Sequence, residues 1–330
     1  MLVELPLQLR RAIEAQRDGI SDAELAQATR ALSDRYRAGE SAGTPFIESR
    51  GDVAAYAAYR LPATYAAAVA ALSALRDVRP EWQPRSLLDL GAGLGSGMWA
   101  AATLWPGIER MKALDAEPRM IAAGRALVAA ASHPALRSAE WRQSDLRQPD
   151  LNGSFDLSLM AYVLGEIEPA SAEKLIERVW EATTGALIVI EPGTPNGFRR
   201  VEHVRDQVAR LGGFELAPCP HDPPCRVSDD DWTHFSVRLP RSRAHRLAKD
   251  AALNYEDEKF SYVVLSRLPL GRTYSRILRH PQVRKGHIYL QLCTKAGVQT
   301  VVVSKREGER YSRARKAAWG DIFEWDEENG

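Results

Sequence analysis

The spacing of apolar positions changes twice along the chain. Over the first 80 residues it is helical. "LPLQLRRAIEAQ" repeats its apolar residues every three or four positions, and "SDAELAQATRALSDRYRAG" does so behind a Ser21–Glu24 capping-box pattern. "VAAYAAYRLPATYAAAVAALSALRDV" is apolar around most of its circumference, which predicts a buried helix. Pro62 marks a break or a fresh helix start within it, because proline lacks the N–H that a helix interior uses.

After Pro84 short apolar runs alternate with amphipathic stretches. "RSLLDLG", Met111–Asp115, "AEWRQSDL", "FDLSLMAYVL" and "GALIVIEP" predict strands, and "GMWAAATLW", "PRMIAAGRALVAAA" and "SAEKLIERVWEAT" predict helices between them. This alternation predicts an α/β fold, a doubly wound and mostly parallel sheet with helices on both faces. From about Gly213 the texture changes again. A proline- and cysteine-bearing loop precedes a strand, "KFSYVVLSRL", then a hairpin, "GHIYLQLCT" and "GVQTVVVSK", turning at Lys295–Gly297. "RYSRARKAAWG" is a basic helix or turn. The chain thus divides into a helical region (1–80), an α/β domain (81–212) and a basic, cysteine-bearing, β-containing module (213–330).

A chain of 330 residues has room for about two domains. No run approaches the roughly 18 apolar residues of a membrane span. The N-terminus has no signal-peptide core, and Glu4 and Glu14 speak against a transit peptide. With three cysteines there is no closed disulfide framework, so the expectation is a cytoplasmic, bacterial-type protein, monomeric when free and without a membrane partner. The net charge of +1 hides an asymmetry: Arg267–Lys316 holds 13 Lys/Arg against Glu307 and Glu309. Such a region suits a polyanion, nucleic acid above all, or forms a solvated basic surface.

Candidate chemistry begins at "LLDLGAGLGSG", where Asp89, Gly91, Gly93 and Gly95 stand between a strand and a helix. Glycines allow the tight turn and let a ligand approach the main chain. A Gly-x-Gly-x-x-Gly dinucleotide fingerprint would place its third glycine one residue later. The Asp-x-Gly-x-Gly-x-Gly pattern instead resembles motif I of class I methyltransferases, which bind S-adenosylmethionine. Asp115 ends the second strand, 22 residues after Gly93, where a carboxylate can take both ribose hydroxyls. Asp145 follows the third, where the resemblance implies a contact to the adenine amino group. A nicotinamide cofactor fits the acidic residue but fits the glycine spacing less well. No catalytic residue is assigned: "AYVLGEI" stands where base-amine methyltransferases often carry Asn/Asp-Pro-Pro-aromatic. Tyr162, Glu166 and Glu191 are candidates for lining an acceptor pocket, or for ordinary packing.

The segment "CPHDPPCRVSDDDWTHF" holds Cys219, Cys225, His221 and His234, and Cys293 lies some seventy residues on. Thiolates with imidazole suit zinc, and thiolates alone suit an iron–sulfur cluster. The spacing is not that of a zinc finger, and a buried, inert Cys293 is the plain alternative. Together, "LPATYAA", "LLDLGAGLGSGMWAA", "CPHDPPC", "HFSVRLPRSRAHRLAK", "NYEDEKFSYVVLSR" and "ARKAAWGD" resemble the methyltransferase-like family of mitochondrial small-ribosomal-subunit assembly factors and their bacterial relatives. The resemblance runs from about Leu5 to Asp321.

It implies binding to small-subunit rRNA and a [4Fe-4S] cluster on four cysteines. Cys219, Cys225 and Cys293 match three of them. The third family cysteine stands in W-C-H-F, and this chain has Thr233 in "WTHF", so a fourth ligand would fall to His221, His234, Asp222 or solvent. Zinc is the alternative metal. In "RLPRSRAHRLAK", Arg238, Arg241, Arg243, Arg246 and Lys249 can neutralise phosphates or pair with the acidic "YEDEKF". Tyr255, Tyr262 and Tyr274 are placed to stack on bases or to fill the core. The function read from the sequence is an rRNA-binding assembly or maturation factor carrying an S-adenosylmethionine site. The alternative is an active methyltransferase acting on rRNA or another acceptor.

Overall fold

The computed structural model describes residues 2–38, 47–219, 221, 227, 231–241, 253–271 and 274–325. Four helices open it: α1 (Leu7–Ala15), α2 (Asp22–Ala38), α3 (Arg50–Ala55) and α4 (Leu61–Val78). The capping box before α2 forms as expected, with the Glu24 carboxylate accepting the Ser21 N–H at 2.8 Å and the Ser21 hydroxyl accepting the Glu24 N–H at 3.2 Å. Ser49 and Asp52 make a second such box at α3. Between α3 and α4 the helix widens into one π turn, Tyr56–Arg60. Pro62 sits just beyond, in the first turn of α4. It has no N–H to offer, and a widened turn relieves the clash a proline ring makes with the carbonyl four residues earlier. Alanine-rich α4 is buried along nearly its whole length, against α5 (Ser96–Leu104) and the sheet.

The five expected strands form, as β1 (Ser86–Leu90), β2 (Arg110–Asp115), β3 (Glu140–Gln143), β4 (Phe155–Ala161) and β5 (Thr183–Pro192). They run parallel in the order β3-β2-β1-β4-β5. Helices α6 (Pro118–Ala129), α7 (Pro134–Arg137), α8 (Pro169–Ala182) and α9 (Pro195–Arg210) join α5 as crossovers. All five residues of β1 are buried, as a strand covered on both faces requires. Alternate β5 residues feed two cores. Ile188 and Ile190 meet the α4 side, and Leu187 and Val189 pack with Val179 of α8 and Val204 of α9.

The segment after Gly213 supplies the C-terminal β strands in two groups. Its first three strands, β6 (Phe214–Ala217), β7 (Phe235–Pro240) and β8 (Tyr255–Ser266), extend the large sheet. β8 runs antiparallel to β5, with Val263 opposite Val189. Its far edge is shared, β6 pairing near Ser266 and β7 from Phe260 back to Tyr255. Periodicity marks an apolar strand but not the sheet it joins.

The second sheet begins at Ser275. It comprises β9 (Ser275–Ile277), β10 (Gln282–Arg284), β11 (His287–Thr294), β12 (Gly297–Ser304) and β13 (Ile322–Phe323), in the order β10-β11-β9-β13 with β12 on the other edge of β11. The expected hairpin closes with Thr294 opposite Gly297. The basic stretch is a helix, α10 (Glu309–Lys316), whose Ala314 packs on Ile288, Leu290 and Val303. Among the described residues no helix is long and apolar enough to cross a membrane.

Candidate functional sites

At the C-terminal edge of the large sheet, Gly91, Gly93 and Gly95 all take positive φ, at 65°, 55° and 84°. A side chain is strained there, and at Gly91 an added Cβ would stand 2.5 Å from a Val163 methyl. Gly93 is different, because the nearest atom to such a Cβ, the Tyr56 hydroxyl, is 3.5 Å away. The loop is therefore open at Gly93, towards the π turn. Asp115 closes it from β2, accepting the Gly93 N–H at 2.7 Å and the Glu117 N–H at 2.9 Å. Burial raises the Asp115 carboxyl, against these two hydrogen bonds. Asp89 lies beneath the loop, 2% exposed, with one carboxylate oxygen unpartnered. Burial pushes its carboxyl up to about 7, and the negative charge of Asp115 adds to this. Asp145 is half-exposed beyond β3 and is held by Arg147 at 2.7 Å.

At the C-terminal ends of β4 and β5, next to the Val163 that faces Gly91, is a chamber of about 410 Å³. Tyr162, Glu166 and Glu191, the candidates named from the sequence, all line it. Tyr162 has φ +60°, uncommon for a bulky residue and a feature often found at functional sites. Its hydroxyl donates to Glu258 of β8 at 2.8 Å, and Arg60 of the π turn pairs with the same carboxylate at 3.0 Å while covering the Tyr162 ring. Burial raises the Tyr162 hydroxyl well above its usual value, and Glu258 adds to the shift. Glu191 is buried and bound by Arg200 at 2.6 Å. Burial raises its carboxyl, opposed by Arg200. Arg60 and Glu258 escaped sequence reasoning. Their partnership spans 198 positions, and no local pattern announces it.

The cysteine centre joins the two sheets. Cys219 follows β6, and Cys293 is the last but one residue of β11. With His221 they place three ligand atoms within 4.8 Å of one another, and the Cys293 sulfur is 3.4 Å from His221 Nε2. Cys293 is a buried strand residue, as the plain alternative has it, and it stands within reach of two further possible ligands. A hydrogen bond from Cys219 pulls its thiol down to about 5, opposed by burial and aided by His221 and the Arg276 charge. Tyr274 and Arg276, from the start of β9, fix the loop by donating to the Cys219 and Pro218 carbonyls at 3.1 and 3.0 Å. Two sulfurs and an imidazole are a donor set for zinc or an iron–sulfur centre. Cys225 and Asp222 lie outside the described residues. Thr233 is buried, and its carbonyl accepts the Ser261 hydroxyl at 2.7 Å. The His234 ring stands between Trp232 and Trp319.

Of the basic residues read as phosphate contacts, Arg238 is bound through two nitrogens to Asp257 at 2.7 and 2.8 Å and covers the Tyr255 ring. Arg241 pairs with Glu256 at 3.6 Å. These two serve the β7–β8 hairpin, the internal pairing weighed from "YEDEKF". Arg243, Arg246 and Lys249 lie outside the described residues. Tyr262 and Tyr274 are core residues, 5% and 6% exposed, so neither ring is open to a base.

Parallel strands in the order β3-β2-β1-β4-β5, an antiparallel β8 beside β5, a glycine turn after β1 and a carboxylate ending β2 define a class I methyltransferase fold. The chain belongs to the family described as mitochondrial small ribosomal subunit Rsm22, whose sequence profile matches residues 50–324. It is 28% identical over 288 residues to the Homo sapiens ribosome assembly protein METTL17, mitochondrial, covering 81% of this chain and 61% of that one. It is 24% identical over 332 aligned positions to the Schizosaccharomyces pombe Rsm22-cox11 tandem protein 2, mitochondrial, covering 82% of this chain and 43% of that one. The chain thus spans less than two thirds of the length of either relative. Among solved structures it is similar to the magnesium protoporphyrin IX methyltransferase of Synechocystis PCC 6803 with bound SAM, at 13% identity and a TM-score of 0.43, over 72% of this chain and 91% of that one.

Proposed function

We propose that this chain is a small-ribosomal-subunit assembly factor that binds rRNA and holds S-adenosylmethionine at the glycine loop. Family membership across residues 50–324 carries the reading, and the human relative is named a ribosome assembly protein. In the cofactor site, Gly93 allows close backbone approach, Gly91 makes room for Val163 beneath the loop, Gly95 completes the turn, and Asp115 exchanges its Gly93 contact for the ribose hydroxyls. Asp89 supports the loop from below, and Asp145 leaves Arg147 for the adenine amino group. The protein is read as monomeric when free and cytoplasmic, although both relatives named above are mitochondrial.

The chamber supports a second reading, an active methyltransferase, because it offers an acceptor a polar site next to the loop. Methyl transfer from a sulfonium mainly requires an acceptor held in line, which partly buried Tyr162 and buried Glu191 can provide. Single-turnover incubation of small-subunit particles with methyl-labelled cofactor separates the two readings. Label in rRNA supports the enzyme. Stable cofactor binding and particle binding without label support the assembly factor alone.

The centre on Cys219, His221 and Cys293, with Cys225 added, is read as a metal site. Family resemblance favours a [4Fe-4S] cluster, with His221 serving where Thr233 replaces a cysteine. The compact donor spacing favours a single zinc ion, since a cluster would push the ligand atoms further apart. Iron, sulfide and zinc analysis after anaerobic purification decides between them, and a protein free of all three would remove the metal reading.

A further inference from the structure

The second sheet has two unlike faces. The inner face carries Ile288, Leu290, Val301 and Val303 and is covered by α10. On the outer face, Tyr289 is 39% and Val302 43% exposed. These two stand directly opposite each other, with Gln282 of β10 opposite Tyr289 on the other side. The next outward row is Arg284, His287 and Ser304. Side chains of directly paired residues lie about 4.5–5.5 Å apart, so the two rows form one continuous surface.

The same end of the sheet collects further cations. Lys305 donates its backbone N–H to Gly286, in the β10–β11 turn, at 2.8 Å. Lys285 and Arg306 adjoin these two residues. Arg284, Lys285, Lys305 and Arg306 are all exposed. Among the described residues none of the four makes an ion pair. Neighbouring Arg310 and Arg313, by contrast, pair with Glu307 and Glu324 at 3.4 and 2.9 Å. Four unneutralised charges beside an open tyrosine ring call for a partner that brings both phosphates and flat faces.

We propose that the outer face of the β10–β11–β12 sheet is a platform for single-stranded RNA, with a base on Tyr289 against Val302 and the backbone along Arg284, Lys285, Lys305 and Arg306. An acidic peptide would satisfy the charges but would leave the aromatic ring unused. A duplex keeps its base faces stacked internally, whereas a single strand offers them to an aromatic side chain. The proposal rests on the rRNA-binding reading and gives it a surface distinct from the β7–β8 hairpin, where Arg238 and Arg241 are already neutralised.

The experiment uses the full chain, a fluorescein-labelled mixed-sequence single-stranded RNA oligonucleotide, and purified small-subunit particles. Tyr289→Ala should weaken oligonucleotide binding about 5- to 150-fold, the range of base–aromatic stacking, while Tyr289→Phe keeps it. Replacing Arg284, Lys285, Lys305 and Arg306 together with Ala should flatten the log–log salt slope by about 3. All five positions are exposed, and unchanged thermal melts would establish that the variants fold. If wild-type protein binds particles and oligonucleotide and every variant matches it in affinity and slope, the platform is wrong while the rRNA reading stands. If wild-type protein binds neither, both fail. Equal displacement of the oligonucleotide by polyglutamate, with Tyr289→Ala unaltered, would assign the face to an acidic protein and overturn the proposal.

Discussion

Neighbouring glycines in one loop have different tasks, and substitution should separate them. At Gly93 an added methyl has space but takes an unfavourable left-handed backbone, at a cost of about 1–2 kcal/mol, and faces the side left open to a ligand. Gly93→Ala should retain a cooperative melt and lose S-adenosylmethionine binding by calorimetry. Gly91→Ala collides with Val163 as well and should lower the melting temperature further. Asp89 makes a pH prediction. Its carboxyl rises from 3.8 to about 7 on folding, so between those values the folded chain holds a proton that the unfolded chain has released. The stability this group contributes is full below about 4 and is lost as the pH rises to about 7. Asp89→Asn should therefore gain on the parent protein at pH above 7 and lose most of this pH dependence, measured by urea denaturation. At this scale the glycines and Asp115 were legible, because a backbone turn leaves its mark in adjacent residues. His221 stood among the possible ligands, but only the fold puts it beside Cys293, 72 positions away.

Among elements, the π turn is the joint between the helical region and the glycine-loop side of the sheet. It points Tyr56 at Gly93 and Arg60 at Glu258. Arg60, Tyr162 and Glu258 form one partly buried network, in which losing one member leaves another short of a partner. A double-mutant cycle on Arg60→Ala and Glu258→Gln should return a coupling of about 1–2 kcal/mol, well above that of an exposed pair. Additive changes would mean that the two side chains act independently. Pro62 announced some break in the helix, but its form depends on tertiary packing. Strands β1, β2, β4 and β5 were legible because parallel strands covered on both faces read as short apolar runs between helices, whereas edge strand β3 keeps only Trp141 buried. β8 was legible as a strand, while its neighbours were not, because an antiparallel strand can join any open edge that its apolar residues fit.

For the molecule as a whole, the cysteine centre ties the end of β6 in the large sheet to β11 in the second. Ligands that meet only in the folded chain make metal binding part of the folding free energy. On the proposed metal reading, chelation, or substituting Cys293→Ser, should accelerate amide exchange in β9, β11 and β12 by roughly tenfold or more, the factor equivalent to about 1.4 kcal/mol, and leave β1, β2 and β4 nearly unchanged. Equal acceleration in both sheets would mean that the centre supports the whole molecule. The change of texture after Gly213 was visible in the sequence, but the sheet that each later strand joins is set by pairing between distant segments.

The position of β8 also orders the events of synthesis. Among the described residues β6 has its ladder partner only in β8, and β5 pairs on that side with β8 alone. As the chain leaves the ribosome, the first five strands can assemble around their helices, yet the edge of β5 stays open and Phe214–Ala217 waits unpaired until Tyr255–Ser266 has emerged. An open strand edge invites pairing with other chains. The nascent protein is therefore most exposed to aggregation while the residues between β6 and β8 are being made, and a pause in translation over that stretch would lengthen the dangerous interval.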